Sequence, residues 1–178
     1  MSGRIGTSKE KSVEWYTPKW IFDHLGIDFD LDPASPDDHE TFVPATIKYT
    51  KEENGLLCPW HGRVFMNPPY GTDTPKWMDK FIDHSNGIAL VFSRTDARWF
   101  QRAAFQCDAM LLLAGRVNFV PGHENKHKQS RAGAGTAMFA FGDESFNALL
   151  NLAEQGIFIE CRGIKQYRDD LLSEMRRR

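Results

Sequence analysis

Four consecutive residues, Asn67, Pro68, Pro69 and Tyr70, follow the apolar run Val64-Phe65-Met66. Proline donates no backbone hydrogen bond, fixes its own φ and pushes the residue before it out of helical conformation. The backbone at Asn67 is therefore expected to be rigid and extended. The carbonyls of Asn67 and Pro68, together with the Asn67 side-chain oxygen, then form a cluster of acceptors on a stiff frame. Such a cluster suits an exocyclic NH2 group, and Tyr70 adds a flat face against which a planar base stacks, worth ~1–3 kcal/mol. The amino nitrogen of adenine is a poor nucleophile because its lone pair is delocalised into the ring. Two acceptors gripping its protons favour pyramidalisation, free the lone pair for attack and stabilise the positive charge that develops. These residue types in this order point to chemistry at an amine that needs no strong general base.

Other stretches carry weaker signals. His123, Glu124 and His127 spell H-E-x-x-H, a zinc-protease pattern. That pattern requires a helix with both histidines on one face against a core. Here Pro121-Gly122 precede it, the neighbours are polar, and no third ligand is evident, so no metal is expected. Gly133-Ala134-Gly135 does not follow a strand and open a helix, which makes it a poor phosphate loop. Cys58, Cys107 and Cys161 lie far apart, form no C-x-x-C pair and are odd in number. They are expected to be free thiols in a reducing, cytoplasmic compartment.

The formal net charge of −2 is unevenly spread. Residues 28–53 carry eight acids and two bases, whereas residues 94–131 carry seven bases and three acids. This asymmetry suits a protein with one side turned toward a polyanion, although solvated faces of mixed sign account for it equally well. Arg94, Arg98, Arg116, Lys126, Lys128 and Arg131 are the candidate phosphate contacts, several of them in a polar, glycine-containing loop over residues 121–135. No apolar run approaches the ~18 residues that a bilayer span needs. The polar first residues, MSGRIGTSKEKS, lack a signal-peptide core and read as a disordered leader over residues 1–14.

The elements that must position these residues follow from periodicity and breakers. Thr17-Pro18 reads as a helix start, with Thr17 as the cap, Pro18 in the first turn, and Trp20, Ile21 and Leu25 at helical spacing. "IDFDLDPAS" alternates apolar and acidic residues before a proline turn, a short strand, and "ATIKY" is a small one. "RVFMNPPY" is a strand with its terminal turn. Thr74-Pro75 repeats the cap-and-proline signal before a helix whose apolar face is Trp77, Met78, Phe81 and Ile82. "GIALVFS" is a strand, "TDARWFQRAAF" a helix, "AMLLLAGRVNFV" a strand with a second extended piece, "TAMFAFG" a strand, "ESFNALLNLAEQ" a helix and "IFIEC" a last strand. Strands alternating with helices predict an α/β fold with a mostly parallel sheet and helices on both faces. In such sheets ligands sit beyond the carboxyl ends of the strands, which puts "DLDPAS" and "MNPPYG" on one rim. The expected organisation is a catalytic domain over residues 15–165 and a basic tail over residues 166–178.

From about Trp15 to Gly142 the chain resembles the short phage- and prophage-type DNA N6-adenine methyltransferases, which use S-adenosylmethionine. "NPPY" after a strand looks like their catalytic motif, and "WYTPKWIFDHL", "FDLDPAS", "ENGLLCPW" and "GRVNFVPG" resemble their other segments in the same order. The resemblance implies a Rossmann-like methyltransferase fold and transfer of a methyl group to the N6 amine of adenine in DNA. It implies Thr17, Pro18, Asp32, Ala34 and Asn54 near the cofactor, and Asn67, Pro68, Pro69 and Tyr70 at the target adenine. Phe119 would be a second stacking face. The chain departs from the wider pattern in having "PASPDDHE" where a glycine-rich cofactor loop is usual. No insertion is long enough for a separate target-recognition domain. Two other readings stay open from the residues alone. One is methylation of RNA adenine or protein glutamine. The other is a nucleic-acid-binding module with a degenerate cofactor pocket.

Overall fold

"GIALVF" and "TAMFAF" are continuous apolar runs, a pattern that belongs to strands covered on both faces. In the computed structural model of the chain, which describes residues 15–36, 41–121, 133–164, 166 and 167, both are strands at the middle of a seven-stranded sheet. The strands are β1 (Trp15–Tyr16), β2 (Phe29–Asp32), β3 (Ala45–Lys48), β4 (Val64–Met66), β5 (Gly87–Phe92), β6 (Ala109–Leu113), β7 (Val120–Pro121), β8 (Thr136–Phe141) and β9 (Gly156–Glu160). The helices are α1 (Lys19–Leu25), α2 (Thr74–His84), α3 (Arg98–Gln106) and α4 (Asp143–Leu150).

The sheet order is β3-β2-β4-β5-β8-β6-β9. β3, β2, β4 and β5 are parallel neighbours. β8 lies antiparallel between β5 and β6, and β9 is antiparallel to β6. Five of the seven strands therefore share a direction, and β2, β3, β4, β5 and β6 all end on one edge. This is the mixed, mostly parallel sheet flanked by helices that the alternation of elements predicts, a Rossmann-like methyltransferase fold. The antiparallel half was not legible from the periodicity.

Successive residues of the central strands feed two cores. Ile88, Leu90, Met138 and Ala140 pack on one face with Ile21, Phe22 and Leu25 of α1 and with Phe146 and Leu149 of α4. Ala89, Val91, Phe139 and Phe141 pack on the other with Trp77, Met78, Phe81 and Ile82 of α2 and with Phe100 and Ala103 of α3. Full burial of each large side chain contributes about 1.5–3 kcal/mol, so these layers hold the strand ends still. On the outer surface Arg102 of α3 bridges Asp79 and Asp83 of α2 at 2.6 and 2.7 Å.

Two helix starts differ from the sequence expectation. α1 begins at Lys19, Pro18 is its N-cap, and no side chain caps it. α2 is preceded by Asp73 as its N-cap, again with no side-chain cap bond. The Thr17 hydroxyl is taken by Asn67, and that of Thr74 by the turn that precedes the helix. α1 ends at Gly26, whose φ of 65° lets its N–H reach the Phe22 carbonyl. Among the described residues no helix is long and apolar enough to cross a membrane.

Candidate active site

Asn67 is the first residue beyond β4, and Asp32 is the last of the adjacent parallel strand β2. Both therefore lie on the carboxyl edge of the sheet, the edge at which open α/β sheets take their ligands. The Asn67 side chain is tied at both ends. Its Nδ2 donates to Thr17 Oγ1 at 3.2 Å, and its Oδ1 accepts from the Tyr70 hydroxyl at 3.0 Å. Pro68 is buried and Pro69 exposed. Thr74 braces the turn that follows. Its hydroxyl accepts from the Gly71 N–H at 3.1 Å and donates to the Pro69 carbonyl at 3.3 Å.

The Tyr70 ring stacks on Phe92, the last residue of β5, with centroids 3.8 Å apart and planes 11° from parallel. One face of Tyr70 is thus backed by a second aromatic ring. Burial pushes the Tyr70 phenol up from its ordinary value, so its hydroxyl stays protonated and a donor. Directly across the strand pair from Phe92 is Thr136, 1% exposed, whose hydroxyl has no hydrogen-bond partner.

Asp32 is 4% exposed. Burial pushes its carboxyl up to about 6, against the lowering effects of the Ala34 N–H and the Lys48 charge. Its Oδ1 accepts from the Ala34 N–H at 3.1 Å, which closes the turn after β2. The anion is thus only partly compensated by the protein. A cationic ligand at this edge would supply what is missing, and the sulfonium and ammonium of S-adenosylmethionine are such cations. The acceptors at this edge, the buried Asp32 carboxylate first among them, suit such a cation.

The segment Thr50–Trp60 closes over the same end. Asn54 has a φ of 56°, its side-chain oxygen accepts from the Leu56 N–H at 3.3 Å, and it is exposed. Gly55 presses on the turn after Asp32, because a Cβ there would overlap the Pro33 carbonyl oxygen. Lys80 of α2 pins this segment from below. Its ammonium donates to the carbonyls of Gly55, Leu56 and Cys58 at 3.0, 2.8 and 2.5 Å and lies 5.1 Å from the centroid of the Trp60 ring.

The structure thus brings Thr17, Asn67 and Tyr70 into one hydrogen-bonded chain and places Asp32, Pro33 and Ala34 on the same edge with the Asn54–Gly55 turn against them. Pro18 is buried behind Thr17. Phe119 is placed elsewhere: it is 2% exposed and belongs to the core with Ile21, Leu113 and Val117, so its ring shows no open face to a base. Arg94, just past β5, and Arg116, past β6, are exposed on the carboxyl edge. Lys126, Lys128 and Arg131 lie outside the described residues, as do His123, Glu124 and His127. Among the described residues no group of His, Cys, Asp and Glu could hold a metal ion. Cys58, Cys107 and Cys161 are free thiols.

Sequence reasoning missed four parts of this site. Thr74 was legible only as a helix start, although its spacing from Pro69 allows it to close the turn. Phe92 carried a signal, an aromatic ring ending a buried strand. Gly55 and Lys80 act through contacts 22 to 25 residues distant in sequence, and no local pattern marks them. A family profile described as DNA N-6-adenine-methyltransferase (Dam) matches residues 5–155. No curated protein and no solved structure matches the chain.

Proposed function

The chain belongs to the family of DNA N-6-adenine-methyltransferases (Dam), and from that premise we propose that Asn67, Pro68, Pro69 and Tyr70 carry the transfer, with Asp32 at the centre of the cofactor end. The reaction of the family is S-adenosylmethionine-dependent transfer of a methyl group to adenine in DNA. S-adenosylmethionine, when bound, supplies a methyl group on a cationic sulfur. The protein's task is to bring the N6 amine of adenine to it with the lone pair free.

Adenine N6 is out of reach inside a duplex, so the base is extruded or taken from a single strand. Asn67 Oδ1 and the Pro68 carbonyl accept the two N6 protons. As the nitrogen becomes tetrahedral, positive charge grows on it, and fixed acceptors stabilise that charge without reorganising. The Tyr70 ring, stiffened by Phe92, gives the base a face to stack on. Asp32, Thr17, Pro18, Ala34 and Asn54 form the cofactor end, where the carboxylate of Asp32 balances positive charge. Arg94 and Arg116 on the rim, with Lys126, Lys128 and Arg131, take the phosphates. The catalytic domain spans residues 15–165.

The observation that carries this reading is the Asn67 amide, held by two hydroxyls at the end of β4 beside the buried carboxylate at the end of β2. The test is Asn67→Ala, assayed by mass spectrometry of nucleosides from DNA incubated with protein and S-adenosylmethionine. Loss of one such acceptor is expected to lower turnover by about 10²-fold or more, with cofactor affinity by calorimetry nearly unchanged. A variant that methylates at the wild-type rate would remove Asn67 from the reaction.

A further inference from the structure

The acceptor role given to Asn67 depends on where its amide is held: an acceptor free to swing no longer meets the N6 proton as charge develops, and a fixed one does so without reorganising.

Two hydroxyls hold the Asn67 amide. Tyr70 donates its hydroxyl proton to Oδ1 at 3.0 Å, and Nδ2 on the other side donates to Thr17 Oγ1 at 3.2 Å. Thr17 precedes Asn67 by 50 residues. It is 3% exposed and held between two fixed points. On one side Trp15 and Tyr16 pair with Pro121 and Val120, and on the other Pro18 caps α1. Its hydroxyl caps no helix. A buried, immobile hydroxyl bonded to one end of the amide fixes its plane and its position; able to donate as well as accept, it serves whichever end faces it. By drawing on the N–H it also raises the negative partial charge on Oδ1.

We propose that Thr17 is a positioning residue for methyl transfer: through its bond to the Asn67 amide it holds that side chain at the place from which its oxygen meets the target amine. This rests on Asn67 being the acceptor of the adenine N6 protons. It assigns Thr17 to the catalytic amide, beyond a place at the cofactor end.

Thr17→Val keeps the shape and removes the hydroxyl, and Thr17→Ser keeps the hydroxyl. Methyl transfer to an adenine-containing oligonucleotide and cofactor affinity by calorimetry are measured for both, for Asn67→Ala and for the double variant Thr17→Val/Asn67→Ala. Thr17→Val is expected to lower kcat by roughly tenfold, the scale of one hydrogen bond, with a smaller rise in cofactor Kd. Thr17→Ser is expected to recover most of the rate, and Thr17→Val to cost nothing further once Asn67 is Ala. A wild-type kcat in Thr17→Val overturns the proposal. So does a loss confined to cofactor Kd, or an equal loss in Val and Ser, which would mark a packing role. Should Thr17→Val melt early, Thr17→Ser and Thr17→Ala carry the same comparison. Full activity in Asn67→Ala would instead sink the reading on which the proposal stands, so the two failures are told apart.

Discussion

Asp32 lends itself to a perturbation with opposite signs for stability and binding. Its carboxyl is pushed from 3.8 to about 6, chiefly by burial. At 1.36 kcal/mol for each pH unit, the buried anion costs the ligand-free fold about 3 kcal/mol at pH 7.5. Asp32→Asn keeps an acceptor for the Ala34 N–H and removes the charge. The sign follows from proton linkage. Between pH 3.8 and about 6 the folded state holds a proton that the unfolded state has lost, so folding stability falls as pH rises through this window. The gain from Asp32→Asn should therefore be about 3 kcal/mol at pH 7.5, about half of that at pH 5, and small below about pH 4. For a chain of this size that raises Tm at pH 7.5 by about 6–12 °C. The same change removes the anion opposite a cationic cofactor, so S-adenosylmethionine affinity is expected to fall by at least about tenfold. The assay is thermal melting of ligand-free protein at three pH values, with calorimetric titration of the cofactor. A variant no more stable than wild type at pH 7.5 would refute the burial reasoning. Unchanged affinity would remove Asp32 from the cofactor end.

Two further substitutions separate the cofactor end from the base end. Gly55→Ala places a Cβ on the Pro33 carbonyl and forces the Asn54–Gly55 turn away from β2. Calorimetry is expected to show cofactor affinity lowered by about tenfold or more, a shift of about 1.4 kcal/mol, and equal affinity would show that this turn does not shape the pocket. Phe92→Leu removes the ring that backs Tyr70. Steady-state kinetics should show KM for DNA raised about threefold to tenfold, the worth of an aromatic pair, with cofactor Kd unchanged. A KM equal to wild type would show that Tyr70 is held by other contacts.

The parts of the fold legible in sequence were those encoded locally. The runs at Gly87–Phe92 and Thr136–Phe141 are apolar without interruption, and the helix faces of Trp77, Met78, Phe81 and Ile82 repeat at helical spacing. Strand partners were not legible. Periodicity says that Thr136–Phe141 is a buried strand, but not that it enters antiparallel between β5 and β6. The pairing of Trp15–Tyr16 with Val120–Pro121 joins residues about a hundred positions apart and leaves no trace in either dipeptide. In the site, the acceptor cluster at Asn67 was legible because two prolines constrain it by themselves. The hydroxyls of Thr17 and Thr74 were read as caps because a Thr-Pro pair is an ordinary helix start. The partner of Thr17, Asn67, becomes its neighbour only once β4 packs beside α1, whereas Thr74 bonds the turn just before it. Phe119 was a fair candidate by type, but its place under β6 and α1 follows from packing that one chain's pattern does not show.

The position of β8 has a consequence for synthesis on the ribosome. β5 and β6 leave the exit tunnel well before residues 136–141, yet in the finished sheet neither touches the other, and β8 fills the gap between them. Until Phe141 emerges, the nascent chain carries two apolar strands with open inner edges, the kind of edge that pairs with foreign strands. Between the emergence of Leu113 and that of Phe141 the growing chain is thus most open to pairing with foreign strands, and a stall there would leave a sticky half-sheet.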